Sequence, residues 1–268
     1  ILSGAGFLGQ AIMRNLKLTK PKYIIVNTTS RKHAAKKGLI YVDYQSKDSI
    51  RHLLHEVNPN IILHLASSCK EDQTEAAFRR GVLRDKNIIN ALKVWDRKVK
   101  IIFVASMSCF KLTDKQITPD SYSPESLYGK EKTQMIKRLK KLSVSFKNFD
   151  IKIVYPSSIY GPGQKGRMFL PSLLVHLKNS KIMTASGSKK RRDYIHISDV
   201  SKSIVSIIIN FKTIELVDVF LNSGQLVELG EIASMVCSIV GRNINDVIVF
   251  HDSPDDKKKY QSIYSRFI

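Results

Sequence analysis

Short runs of β-branched and aliphatic residues alternate along the chain with longer stretches in which apolar positions recur every three or four residues. The runs at 23–26, 61–65, 100–105, 151–155 and 219–221 predict strands. The amphipathic stretches at 9–18, 46–56, 78–95, 126–143 and 199–209 predict helices. Alternation of this kind builds βαβ units, which lay helices on both faces of a parallel sheet. The expected fold is α/β, a doubly wound parallel sheet. From about Gly161 the pattern loosens and becomes richer in basic residues. Residues 1–160 are therefore expected to form the sheet domain, and 161–268 a smaller lobe with some segments returning to the sheet. Ile1 already lies inside an apolar run and residues 264–268 carry no closing signal, so both ends are expected to be trimmed.

Composition narrows the class without choosing a function. The chain has 268 residues, 43% hydrophobic and 25% charged, as folded globular proteins have. No apolar run approaches the roughly 20 residues that span a bilayer, so no membrane span is expected. Three cysteines, Cys69, Cys109 and Cys237, are odd in number and widely spaced. Neither a disulfide framework nor a metal site follows from them, and a cytoplasmic location is expected. Lys and Arg number 44 against 23 Asp and Glu, a net charge of +21. Such charge suits a solvated lysine-rich surface, or a basic cleft for a diphosphate. Basic residues are dense at 130–147, 189–192 and 257–259, but no stripe interleaved with aromatics and no zinc-finger or RNA-recognition pattern is present. A specific nucleic-acid partner is not expected.

Two constellations carry chemistry. Ile1-Leu2-Ser3-Gly4-Ala5-Gly6-Phe7-Leu8-Gly9 has the form of a strand end, a glycine turn and a helix start. Gly4, Gly6 and Gly9 fit G-x-G-x-x-G, in which the backbone approaches a pyrophosphate set against the helix N-terminus. Any glycine turn into a helix can look like this, but the second predicted strand ends at the expected distance. The fold expectation becomes Rossmann-type, with Gly4, Gly6, Phe7, Leu8 and Gly9 at a dinucleotide. After that second strand stand Asn27-Thr28-Thr29-Ser30-Arg31, where an NAD site normally presents an acidic residue to the ribose. Arg31 could instead pair with the 2′-phosphate of NADP, or be a surface residue after an irregular turn. NADP is the expected cofactor and NAD the alternative, with Asn27 and Arg31 at its adenosine end.

In the second constellation Tyr128 and Lys132 are four apart on a predicted helix, hence on one face. A nearby ammonium and an oxidised nicotinamide would favour the phenolate, making the tyrosine an acid/base. The predicted strand 100–105 runs into Ser106-Met107-Ser108-Cys109-Phe110, placing hydroxyls at the crevice where doubly wound sheets bind ligands.

Further segments stand in order: Val42-Asp43, His64-Leu65-Ala66, Tyr155-Pro156-Ser157-Ser158-Ile159-Tyr160-Gly161-Pro162, Arg192-Asp193-Tyr194-Ile195-His196-Ile197-Ser198-Asp199-Val200 and Leu221-Asn222-Ser223-Gly224. With the two constellations they make the chain resemble, nearly end to end, the extended short-chain dehydrogenase/reductase family of nucleotide-sugar epimerases, dehydratases and ketoreductases. The resemblance implies that Ser106, Tyr128 and Lys132 are catalytic, with Ser108 facing the substrate. It implies further cofactor contacts at Asp43 (adenine), Leu65, Ala66, Tyr155 and Ser158, with Tyr128 and Lys132 also meeting the cofactor. Arg192 would hold the diphosphate of a nucleotide-diphosphate sugar, and a homodimer through helices flanking the Tyr128 helix is possible.

The chain also departs from that pattern. Ser3 stands where the family's G-x-x-G-x-x-G has its first glycine, unless Gly4 takes that role. Gly81 replaces a frequent Asn and Arg84 a usual Gly. Met107-Ser108 stand where 4,6-dehydratases carry Asp-Glu, which argues against dehydration. Ser-Met-Ser-Cys-Phe is similar to the Ser-Ser-Cys segment of GDP-fucose synthases, but Ser108 takes the reactive cysteine's place, so Cys109 is expected to be a packed residue. The expected activity is an NADP-linked nucleotide-sugar 4-ketoreductase. The alternatives are a 4-epimerase holding NAD firmly and a non-catalytic member binding a partner through its basic surface. Lys189, Lys190 and Arg191 either steer an anionic substrate or form a charged loop.

Overall fold

The computed structural model describes residues 1–20, 22–30, 39–67, 74–111, 117–166 and 168–253. In chain order its elements are α1 (Phe7–Thr19), β1 (Thr28–Thr29), β2 (Ile40–Tyr41), α2 (Lys47–Val57), β3 (Ile61–His64), α3 (Glu75–Lys93), β4 (Val99–Val104), α4 (Leu127–Ser145), β5 (Phe149–Pro156), β6 (Ser158–Tyr160), α5 (Phe169–Lys178), β7 (Met183–Ser186), β8 (Arg191–His196), α6 (Ile197–Ile209), β9 (Asp218–Leu221), β10 (Leu226–Glu228), α7 (Leu229–Ile239) and β11 (Ile248–His251). Hydroxyl side chains start the helices that matter most for the site. Ser46, Thr74 and Ser126 each accept a backbone N–H of the first turn of α2, α3 and α4.

β3, β4, β5 and β9 lie side by side and parallel. The opening segment extends them: the Leu2 N–H donates to the Leu63 carbonyl at 2.9 Å, and the Leu65 N–H to that of Leu2 at 3.1 Å. On its other side the Thr28 N–H reaches the Ile1 carbonyl at 3.1 Å, and β1 pairs in parallel with β2. The order across the sheet is therefore β2, β1, the opening segment, β3, β4, β5, β9. Chain progression reverses between the opening segment and β3, and the crevice at that switch point is where open α/β sheets bind ligands.

Side chains alternate across the strands, so one run serves two cores. Ile101 and Phe103 of β4 join Ile50 and Leu54 of α2, Ile88 and Leu92 of α3 and Met135, Ile136 and Leu139 of α4. Ile102 and Val104 face the other way, toward Ile12 and Leu16 of α1 and Val200, Ile204 and Ile208 of α6. This is the doubly wound α/β arrangement expected of the sequence.

Residues 23–26 form no strand; pairing there begins only at Thr28. Among the described residues no strand lies beside Tyr23 and Ile24 to complete a ladder, and Ile24 is 94% exposed. β-Propensity alone does not hold a strand without a partner. The other four predicted strands and all five predicted helices are present within a few residues of their expected bounds.

Beyond β5 the chain builds smaller sheets, with β8 between β6 and β10 and β7 paired with β11. A separate cluster of Leu173, Met183, Ala233, Cys237, Val247 and Ile248 packs α5 and α7 against β7 and β11. α6 and β9 return to the large sheet; Asn15 of α1 donates to the Ser201 hydroxyl of α6 at 2.7 Å. Among the described residues no helix is long and apolar enough to cross a membrane.

Candidate active site

A cleft of about 580 Å³ opens at the switch point. Its floor on one side is the glycine turn. Ser3 sits at φ 62°, in the left-handed region that favours glycine. Backbone bonds hold it there: the Ser3 N–H donates to the Tyr44 hydroxyl at 2.9 Å and to Thr28 Oγ1 at 3.2 Å. Gly4 packs under the Asn27 side chain, and Gly9 against the Gly4 carbonyl, so a Cβ at either would collide. Gly6 differs, because a Cβ there would meet nothing within 4 Å and would project into open space beside the cleft. Gly6, the N-cap, has no side chain with which to cap the first turn of α1. Its free N–H groups and positive dipole end suit an anion, and Gly6 leaves room for one.

The opposite wall comes from the end of β4 and the start of α4. Ser106 is extended, and its Oγ accepts the Ser108 N–H at 3.1 Å and donates to Ser108 Oγ at 3.2 Å. Gly129 lets α4 approach this loop, since a Cβ there would strike the Ser108 carbonyl. That close approach brings Tyr128 and Lys132 to the same cleft as Ser106 and Ser108. Lys132 is buried; its Nζ donates to the Val104 carbonyl at 2.8 Å and lies 4.7 Å from the Phe103 ring centroid and 5.8 Å from that of Tyr128. Burial, then the positive charge of Arg84, lower its pKa to about 8. Burial pushes the Tyr128 phenol up, against a hydrogen bond from Ser67 that favours the phenolate. The chain's own groups thus leave Tyr128 a neutral phenol, and an added positive charge in the cleft would bring it toward ionisation.

Arg192 of β8 and Lys165 also line the cleft. Glu125 is the one carboxylate among the cleft's described lining residues, against Lys132, Lys165 and Arg192. Burial works against the Arg192 charge without approaching neutral pH chemistry for a guanidinium. Beside it, Asp193 is buried and anchors the strand. Its carboxylate accepts the Ser157 hydroxyl at 2.7 Å and the Ser223 and Gly224 N–H groups at 2.9 Å each.

Of the residues singled out in the sequence, Gly6, Phe7, Leu8, Gly9, Leu65, Ser106, Ser108, Tyr128, Lys132, Ser158 and Arg192 line this cleft. Ala66 is buried beside it, and Gly4 supports the turn from below. Tyr155 does not reach it. Its side chain is wholly buried, stacked on Phe220 at 4.7 Å, with its hydroxyl 2.7 Å from Asp218 and 2.8 Å from the Tyr122 hydroxyl. Asp43 is taken up in a turn, accepting the Gln45 N–H at 3.0 Å. Asn27 is buried against Gly4 and donates to the Met13 sulfur. Arg31 and Cys69 lie outside the described residues. Cys109 is fully buried, and burial raises its thiol, as suits a packed residue. Lys190 and Arg191 turn to Ser186 and Glu228 and do not line the cleft. Ser67, Gln164 and Lys165 do line it and carried no sequence signal, because each lies in a segment without periodicity.

The family model for the NAD-dependent epimerase/dehydratase family matches residues 1–220. The chain belongs to that family. Sequence comparison with curated proteins finds no match. Among solved structures, this family member is similar to UDP-glucose 4-epimerase from Brucella ovis in complex with NAD, with a TM-score of 0.83 at 16% identity, covering 98% of this chain and 88% of that one. It is also similar to dTDP-glucose 4,6-dehydratase from Bacillus anthracis in complex with NAD, with a TM-score of 0.81 at 15% identity over 98% and 86% of the two chains. UDP-glucuronic acid 4-epimerase from Bacillus cereus, in complex with UDP-glucuronic acid and NAD, gives 0.79 at 18% over 99% and 89%. At these identities the likeness establishes the fold. The residues of the epimerase-family chain fit a dinucleotide on their own account, through the side-chain-free space at Gly6 and the uncapped start of α1.

Proposed function

We propose that the protein is an NADP-linked oxidoreductase that reduces the 4-keto group of a nucleotide-diphosphate sugar. The supporting observation is that Tyr128, Lys132 and Ser106 share one cleft with the glycine turn and with Arg192. A bound nicotinamide dinucleotide supplies the hydride. Gly6 and the first turn of α1 would hold its pyrophosphate. Tyr128 gives its hydroxyl proton to the carbonyl oxygen as the alcohol forms, and Ser106 donates a hydrogen bond to the same oxygen. Lys132 favours the phenolate that remains on Tyr128. Ser108 faces the sugar, and Arg192 grips the diphosphate with its planar fork, with Lys165 adding charge.

Two features support reduction over dehydration and NADP over NAD. Met107 and Ser108 offer no acid and base for removing water, and Glu125 is the one carboxylate among the cleft's described lining residues. Residues 27–30 carry no acidic side chain for a ribose, and Arg31 follows them. A second reading, a 4-epimerase that keeps NAD, draws on the likeness to UDP-glucose 4-epimerase solved with NAD. Identifying any nucleotide released on denaturation, then titrating with NADPH and NADH, separates the two. Preferential NADPH binding and turnover of a 4-keto nucleotide sugar, lost in Tyr128→Phe, is the expected result. Firmly retained NAD would overturn the reductase in favour of the epimerase.

A further inference from the structure

Behind Tyr128 and Lys132 lies a buried cluster of charge that a nicotinamide-linked mechanism does not itself require. Arg84 of α3 donates through Nε to Asp85 at 2.8 Å and through its terminal nitrogen to Glu131 of α4 at 2.6 Å. All three side chains are buried, Glu131 completely. His64 of β3 stands 3.6 Å from the same Asp85 oxygen, and burial lowers its pKa against the pull of that carboxylate. Gly81, one turn before Arg84, belongs to the same arrangement, because a Cβ there would occupy the space of the Glu131 carboxylate. The two departures on α3, Gly81 and Arg84, are thus explained by a third residue, Glu131, which directly precedes Lys132.

Stability does not account for such a cluster. Burying several charges costs about as much as their attraction returns, and apolar side chains of equal volume do as well. Its position is more informative. Two carboxylates lie close enough to influence Lys132, yet its ammonium bonds the Val104 carbonyl and faces the Tyr128 ring. Among the described residues it makes no ion pair.

Resting on the catalytic reading of Tyr128 and Lys132, we propose that Arg84 is a positioning residue for that pair. It holds the Asp85 and Glu131 carboxylates in its own ion pairs, and so leaves the Lys132 ammonium committed to the Val104 carbonyl and the face of Tyr128. The charged and titratable groups around Arg84 and the pair are Asp85 from α3, His64 from β3, Glu131 from α4, Cys109 from the turn after β4, and Tyr44 after β2. Arg84 favours the Tyr128 phenolate and Glu131 opposes it.

The two charges therefore act on Tyr128 in opposite senses. The measurement is an NMR pH titration of the full chain labelled at the tyrosine ring carbon bearing the hydroxyl. The Tyr128 signal is assigned by its loss in Y128F, and the titration is run with oxidised NADP bound, whose positive charge brings the midpoint down into the range that can be titrated. R84Q should raise the Tyr128 midpoint by on the order of one pH unit, E131Q should lower it, and R84K should stay near wild type. Unmoved midpoints, or shifts of the same sign in R84Q and E131Q, would overturn the proposal. If R84Q does not fold, E131Q and R84K still decide, since an E131Q midpoint at or above wild type contradicts it. Turnover that survives Y128F would instead remove the catalytic reading while leaving the electrostatic effect of Arg84 measurable.

Discussion

Ser3 offers a test in which the folded structure sets the sign. It occupies φ 62°, and a left-handed conformation costs an L-residue roughly 1–2 kcal/mol, a cost glycine does not bear. Ser3→Gly also frees the unfolded chain, which returns about 0.5–1 kcal/mol against the mutant. Nothing else of consequence is lost: the bonds to Tyr44 and Thr28 come from the Ser3 backbone and survive the substitution. The net expectation is a stabilisation of about 0.5–1 kcal/mol. In a chain of this size that moves Tm upward by about 1–3 °C. Calorimetric melting of wild type, Ser3→Gly and Ser3→Ala reads it, with Ser3→Ala gaining nothing because it keeps the strain. A Ser3→Gly protein that melts at or below wild type would refute the left-handed strain at Ser3.

Other consequences can be read with ordinary assays. Gly129→Ala drives a methyl group into the Ser108 carbonyl and should cost about 1–3 kcal/mol in urea unfolding, with turnover falling further as Tyr128 is displaced. Asp193→Asn swaps an acceptor of three hydrogen bonds for a side chain with an opposing donor, and should lower stability by about 2–3 kcal/mol in the same assay. Lys132 has a pKa of about 8 when folded against 10.5 ordinarily, so between those values the unfolded chain binds the extra proton. Stability from this group therefore rises with pH across that window, by up to about 1.4 kcal/mol per unit. Melting curves of Lys132→Met against wild type should show the wild-type advantage growing from pH 8 toward pH 10, and a constant difference would contradict it.

The fold was legible wherever periodicity and burial agree. Ile101 to Val104 alternate between two cores, and α4 repeats its buried positions at helical spacing, so both were clear from the residues alone. Residues 23–26 have strand composition too, but composition does not supply the neighbour that a strand needs. Part of the site was equally legible: glycines are required where backbone meets backbone, and a Tyr–Lys pair four apart must share a helix face. Tyr155 shows the limit, since its segment points to a cofactor while the ring lies in an aromatic stack anchored by Asp218. Ser67 and Lys165 reach the cleft from irregular segments, where no pattern announces which way a side chain turns. Gly81, Arg84 and Glu131 looked like unrelated departures because 47 positions separate Arg84 from Glu131, and only tertiary packing joins them.

Gly6→Val asks whether this cleft holds a nicotinamide dinucleotide. Gly6 has an extended conformation open to any residue and no neighbour within 4 Å, so a valine there should leave the fold intact and fill the space over α1. Calorimetric titration with NADPH should show binding to wild type, and at least about tenfold weaker binding to Gly6→Val, a loss of about 1.4 kcal/mol or more. A folded Gly6→Val protein that binds NADPH as wild type does, or a wild type that binds no nicotinamide nucleotide, would show that the cleft is not a dinucleotide site.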